Sequence, residues 1–167
     1  MKEQDSVKDQ ASIVMTRVFD APRSRVFEAW TRAEHLGNWY APKGFTITDC
    51  AADPRPGGVF RMRWRAPWGA TYSVRGEYRE VLAPERVVIA CTLEHEDGIS
   101  RLEEIINVRF EESGSRTRLL LNSSARGRGA QAPRMLAGLQ KGWTQTVDRL
   151  GVLIDPKLQQ EKSQKEM

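Results

Sequence analysis

A chain of 167 residues, 40% of them hydrophobic, is long enough to bury its own core and short enough to form one domain. Its 26 Lys and Arg against 22 Asp and Glu leave a net charge of +4, too small an excess to argue for a polyanion-binding protein, and Cys50 and Cys91 lack the spacing of a disulfide framework or zinc site. No uncharged apolar window of about 18 residues occurs, and the polar opening MKEQDSVKDQ has no hydrophobic signal region, so the expected location is the cytoplasm, with no membrane span.

Residues 1–11 and 156–167 are polar and aperiodic, which reads as two disordered tails around a single domain over 12–155. The domain opens with ASIVMTRVFD, a β-branched run that predicts a strand. Asp20-Ala21-Pro22 then marks a helix start, an acidic cap followed by proline in the first turn. Val26, Phe27 and Trp30 follow at helical spacing, and Leu36 and Trp39 belong to a second short helix that ends before Pro42. FTITDCAAD is the next strand. The turn DPRPGG leads into a hairpin whose strands, Val59–Arg65 and Thr71–Val81, flank Ala66-Pro67-Trp68-Gly69. Three more strands are expected over Arg86–His95, Ser100–Phe110 and Arg116–Ser123. SARGRGAQAP reads as a loose connection before PRMLAGLQKGWTQTVDRLGVLI, a long amphipathic helix.

Alternation decides which side chains face inward. Phe60, Met62 and Trp64 share one side of their strand and Arg61, Arg63 and Arg65 the other; Tyr72, Val74 and Tyr78 join the apolar side across the hairpin. The arginines are expected to meet Thr71, Ser73 and Glu77 on the solvated face. The helix stripe Met135, Leu139, Trp143, Val147, Leu150 and Ile154 needs an apolar partner, and the inner sheet face is the only large one. The result is a two-layer α+β domain.

FDAPRSRVFEAWTRAEHLGNWYAPKGF, the turn DPRPGG, GEYREVLAPERVV and GWTQTVDRL stand in one order over Ser12 to Ile154, and together they resemble bacterial homologues of the activator of the ninety-kilodalton heat-shock protein ATPase. These AHSA-like proteins belong to the START/Bet v-like (SRPBCC) superfamily. The resemblance implies a helix-grip fold: a curved seven-stranded antiparallel sheet wrapped around a long C-terminal helix, with two short helices after the first strand and a cavity between helix and sheet. It also implies three kinds of function, since members of the superfamily are small-molecule binders, co-chaperone-like domains or enzymes.

Chemistry has then to be sought residue by residue. Glu104 shares the parity of Leu102, Ile106, Val108 and Phe110, so it points to the apolar side, where a carboxylate is costly unless paired or protonated. It is a polar anchor for a ligand, an acid or base of raised pKa, or a strand-end residue that reaches water or an arginine. His35 and His95 read as exposed or capping side chains, because no nucleophile or carboxylate is tied to either by spacing. No metal cluster and no cofactor motif are readable, and neither group is expected. Trp30, Trp39, Phe45, Phe60, Met62, Trp64, Tyr72, Val74, Tyr78, Cys91, Glu104, Met135, Leu139 and Trp143 form the candidate ligand-binding set, with simple core packing as the competing reading. Gly138 and Gly142 are either close-packing points or openings beside the cavity.

Arg126-Gly127-Arg128-Gly129 raises nucleic-acid binding, but the aromatics that would stack bases point inward and glutamates dilute the basic field. A flexible loop and a solvated face are expected instead. The function expected is the binding of a small hydrophobic or amphipathic ligand between the C-terminal helix and the sheet. The alternatives are an enzyme of cyclase or hydrolase type using the same space, or a co-chaperone-like domain presenting Arg61, Arg63 and Arg65 to a protein partner.

Overall fold

A computed structural model describes residues 9–158, so most of both expected tails lies outside the described residues. Strand β1 (Gln10–Phe19) starts inside the segment expected to be a tail. Helices α1 (Arg23–Ala29) and α2 (Ala33–Trp39) follow it, and then β2 (Thr46–Ala52), β3 (Val59–Arg65), β4 (Thr71–Leu82), β5 (Arg86–His95), β6 (Arg101–Ser113) and β7 (Arg116–Arg128). Helices α3 (Ala132–Ala137) and α4 (Leu139–Ile154) end the fold.

All neighbouring strands run antiparallel in the order β1-β7-β6-β5-β4-β3-β2. Sequential strands pair with each other, as short hairpin connections require, and β1 closes the sheet beside β7. Every second residue of β6 and β7 is buried, and the buried set of α4 (Leu139, Trp143, Val147, Leu150 and Ile154) packs on that inner face. This is the α+β helix-grip architecture.

Three local expectations change. Asp20 does not cap α1: Pro22 occupies the cap position without a side-chain bond, and the Asp20 backbone N–H donates to Asp155 Oδ2 (3.0 Å), tying the start of the fold to the end of α4. Arg126-Gly127-Arg128 is strand, not loop. Alternation continues through Ser123, Ala125 and Gly127 on the inside, and a Cβ at Gly127 would come within 2.9 Å of Leu136 Cδ1. Glycine stands there because α3 lies directly on the strand, a tertiary demand that overrides its poor strand propensity.

The C-terminal helix is also broken. Its first turn and a half forms α3, and Gly138 (φ −88°, ψ 0°) separates it from α4. On the outer face, Arg63 and Arg65 meet Ser73 and Thr71 as expected, but Arg61 lies opposite Arg75 and Glu77 opposite Val59. Arg75 is neutralised from the other side by Glu94, at 3.1 Å.

Candidate functional site

Between the inner face of the sheet and helices α3 and α4 lies a hollow of about 430 Å³. It sits at the end of the sheet where the helical layer is interrupted at Gly138, and both Gly138 and Gly142 border it. A Cβ at Gly138 would meet Arg134 O at 3.6 Å and one at Gly142 would meet Pro42 Cγ at 3.7 Å, both ordinary contacts, so neither glycine is demanded by close packing.

Nine of the fourteen candidate residues border this hollow. The sheet supplies Trp64, Tyr72, Val74, Cys91 and Glu104; Phe45 comes from the segment before β2; the helices supply Met135, Leu139 and Trp143. Trp30, Trp39, Phe60, Met62 and Tyr78 do not border it, and all five are at most 2% exposed in the filled core. They face inward as alternation and helical spacing require, but they pack on one another and on Tyr40: Trp30 against Trp39 (4.8 Å) and Phe60 against Tyr40 (5.1 Å) and Tyr78 (5.5 Å). Trp39 Nε1 donates to Ala29 O (2.9 Å) and Tyr78 Oη to Trp30 O (2.9 Å), so these two side chains satisfy carbonyls that the C-terminal end of α1 leaves open. Trp30 stacks on Trp143 at 6.2 Å, linking the filled core to the wall of the hollow.

Glu104 is buried as its parity demands, and no arginine pairs with it. Its Oε2 accepts from Ser123 Oγ (3.1 Å) and Trp143 Nε1 (3.4 Å), while Oε1 makes no hydrogen bond among the described residues. Burial raises its pKa above the ordinary carboxylate value, although both hydrogen bonds pull the other way. Cys91, opposite Glu104 in the β5–β6 register, has its thiol pKa pushed well up by burial and then by Glu104. Both effects favour the neutral thiol over the thiolate.

Sequence reasoning missed several lining residues. Tyr40 is the most consequential. It is the C-cap of α2 (φ −77°, ψ 61°), four residues after buried Leu36, so its ring falls on the same inward face as Leu36 and Trp39. The ring lies 5.1 Å from Phe60 and 6.5 Å from Trp64, and its hydroxyl is buried with no hydrogen-bond partner. Burial holds the phenol pKa well above its ordinary value, with Cys91 and Glu104 adding to the effect. Trp64 Nε1 is likewise buried and unpartnered. Trp30 Nε1 shares that condition, but it lies in the filled core away from the hollow.

The rim is polar. Exposed Lys43, Arg134 and Lys141 stand around it with Gln131 and Gln145, and Trp68 overhangs it while remaining 68% exposed. His95 also borders the hollow; its ring meets Tyr72 edge-on at 5.3 Å, and its Nδ1 accepts from the Asp97 backbone N–H (3.1 Å), in keeping with the capping reading. His35 stays on α2, away from the site. Arg149 holds the loop that carries Tyr40 and Phe45: its Nη1 donates to Pro42 O and Phe45 O (both 3.0 Å) and Ala41 O (3.2 Å). A charged residue on a long helix ordinarily reads as solvated surface, so nothing in the sequence signals this clamp.

A broader depression of about 950 Å³ crosses the outer sheet face past Arg75, Glu77, Arg79, Glu103 and Arg126. Its charges largely neutralise one another, through Arg79–Glu77 (3.1 Å), Arg75–Glu94 (3.1 Å) and Arg101–Glu103 (3.6 Å). It has the chemistry of a solvated face. No group of three or more metal-ligating side chains exists among the described residues.

Several solved structures share this architecture. A Chromobacterium violaceum protein is 26% identical, with a TM-score of 0.69 over 87% of this chain and 97% of its own. A Nitrosomonas europaea protein is 24% identical, with a TM-score of 0.66 over 91% and 96%. The AHSA1 protein of Silicibacter pomeroyi is 21% identical, with a TM-score of 0.69 over 85% and 96%. No curated protein matches the chain. The profile of the family described as Activator of Hsp90 ATPase homolog 1-like protein matches residues 20–155, which run from the end of β1 to the C-cap of α4. The chain belongs to this family of Activator of Hsp90 ATPase homolog 1-like proteins.

Proposed function

We propose that the protein binds a small hydrophobic or amphipathic molecule in the hollow between the sheet and helices α3 and α4. The family and fold are those of ligand-binding or chaperone-associated domains. The observation that carries the ligand-binding reading is the hollow itself: about 430 Å³, walled by Phe45, Trp64, Tyr72, Leu102, Leu139 and Trp143. That volume lies within the ~300–1,000 Å³ of small-molecule sites, which are apolar pockets with a few placed polar groups. A ligand's apolar body would cover the aromatic wall, and an anionic end would meet Lys43, Arg134 and Lys141 at the rim.

The test is native mass spectrometry of protein purified without refolding, followed by denaturing extraction. A stoichiometric small-molecule adduct that disappears on denaturation is expected. A clean apo mass, together with failure to bind apolar probe dyes, would reject the reading.

One observation favours a second reading. Glu104 is a buried carboxyl with one unbonded oxygen on the same hollow, the arrangement expected of a general acid. Unchanged turnover of any converted ligand by a Glu104→Gln protein would remove it.

A further inference from the structure

The inner wall of the hollow offers an incoming molecule few polar atoms. The Tyr40 hydroxyl and Trp64 Nε1 lack partners but are sealed within the packing, so nothing in the hollow reaches them. The Cys91 thiol is a weak hydrogen-bonding group. Glu104 differs from all three. It borders the hollow while only 8% exposed, and its two oxygens are used unequally. Ser123 Oγ (3.1 Å) on β7 and Trp143 Nε1 (3.4 Å) on α4 both donate to Oε2, which holds the carboxyl between sheet and helix and leaves the lone pairs of Oε1 unspent. Unlike the Tyr40 and Trp64 donors, Oε1 is not sealed, so it meets the open space. An indole N–H can only donate, so Oε2 is the acceptor oxygen. Any proton on the carboxyl therefore sits on Oε1, and without one Oε1 is a bare acceptor.

We infer that Oε1 of Glu104 is the inner anchor of the hollow, and that the ligand meets it with a hydroxyl group, an alcohol or phenol at the buried end of an apolar body. This rests on the ligand-binding reading and goes beyond it by assigning the chemistry of the ligand's inner end. A hydroxyl brings one donor and two lone pairs, so it donates to Oε1 when the carboxyl is ionised and accepts from it when the carboxyl is protonated. A ketone or ether only accepts, and is matched in one of those states alone. An ammonium only donates, and it would pass Lys43, Arg134 and Lys141 at the rim and lose its water between apolar walls. A carboxylate placed against Glu104 would set two like charges together, so an anionic end belongs at the rim.

The experiment uses β-naphthol and β-methylnaphthalene, alike in shape, with a hydroxyl in one where the other has a methyl group. Both are titrated calorimetrically into the full-length protein and its variants. Glu104→Leu, which removes the anchor, is expected to weaken β-naphthol about tenfold relative to β-methylnaphthalene, the effect of roughly one hydrogen bond to a carboxyl group. Glu104→Gln keeps an oxygen for Ser123 and Trp143 and presents an amide to the hollow, and is expected to hold that ratio within about threefold of wild type. Infrared difference spectra of the wild type decide the point even where Glu104→Leu does not fold. There β-naphthol is expected to shift a carboxyl band that β-methylnaphthalene leaves in place and that Glu104→Gln lacks.

Parallel losses of both compounds in Glu104→Leu, or a wild-type carboxyl band that β-naphthol does not move, would overturn the hydroxyl anchor while leaving ligand binding intact. Failure of both compounds to bind the wild type would reject the binding reading and the anchor with it.

Discussion

The two ends of the inner sheet face are built from the same kinds of residue and come to different states. At one end, Phe60, Met62 and Tyr78 are fully buried: Phe60 packs against Tyr40 (5.1 Å) and Tyr78 (5.5 Å), and Tyr78 reaches Trp30 O (2.9 Å). At the other, Trp64 and Tyr72 carry the same alternation onward along the same two strands, but the helical layer is interrupted at Gly138 and the hollow remains. Phe60 and Trp64 are four residues apart on one face of β3. The first is fully buried and the second borders open space. Inward direction and coverage are therefore separate properties: the first belongs to a strand's own pattern, and the second to what another element leaves uncovered.

Truncation at the two ends is the widest way to test that contrast. Phe60→Ala removes a ring packed edge-on against Tyr40 (5.1 Å) and Tyr78 (5.5 Å), and should cost about 3–5 kcal/mol of stability, as large aromatic deletions in filled cores do. Phe45→Ala removes a half-buried ring beside the hollow and should cost about 1 kcal/mol. Chemical denaturation of the two variants measures the difference. Equal losses would mean that the open end is packed as tightly as the filled one.

The same contrast explains what could be read in advance. The presence and order of the strands, the hairpin register of Trp64 with Tyr72 and Met62 with Val74, and the inward face of Glu104 all follow from a period of two, while the ends of β6 and β7 lie at Ser113 and Arg128, beyond the expected Phe110 and Ser123. That period holds wherever one face is buried. Membership of the candidate site does not follow from it. Trp30, Trp39, Phe60, Met62 and Tyr78 have the size and direction of lining residues and differ only in being covered, a fact that belongs to their packing on one another and on Tyr40. Tyr40 was legible by the same kind of spacing and was passed over. It stands four residues after Leu36, on the buried face that Leu36 and Trp39 mark, and its N–H still bonds to Leu36 O (3.0 Å), so the helical spacing reaches it one residue past the end of α2. The Gly138 break and the strand character of Gly127 were misjudged because glycine's propensity says what is permitted, while the contact between α3 and β7 decides what forms.

Glu104 sharpens the comparison through pH. Its pKa in the folded protein is raised, first by burial, so over the interval between its unfolded and folded values the native state binds more protons than the unfolded one. Stability must then fall as pH rises through that interval, by at most about 1.4 kcal/mol per pH unit, and level off once Glu104 is ionised in both states. Glu104→Gln lacks this component. Denaturation of both proteins from about pH 4 upward should show wild type losing stability relative to the variant and then running parallel to it. A constant offset across the range would mean that the carboxyl is hydrated as well in the hollow as in water.

The smallest expected effect is also the cleanest, because it compares one atom at each end. Tyr78 Oη donates to Trp30 O at 2.9 Å within the filled core, so Tyr78→Phe removes a made hydrogen bond and should destabilise the protein by about 1–2 kcal/mol. Tyr40 Oη has no partner, so Tyr40→Phe removes a group that the fold desolvates without return, and stability should stay within about 0.5 kcal/mol of wild type or rise. The two substitutions delete the same oxygen from equally buried rings, which cancels the transfer of the ring itself from the comparison. If the paired thermal denaturations gave equal losses, Tyr40 would already be satisfied in the free protein. A loss at Tyr78 alone would leave the Tyr40 hydroxyl as a cost carried by the fold.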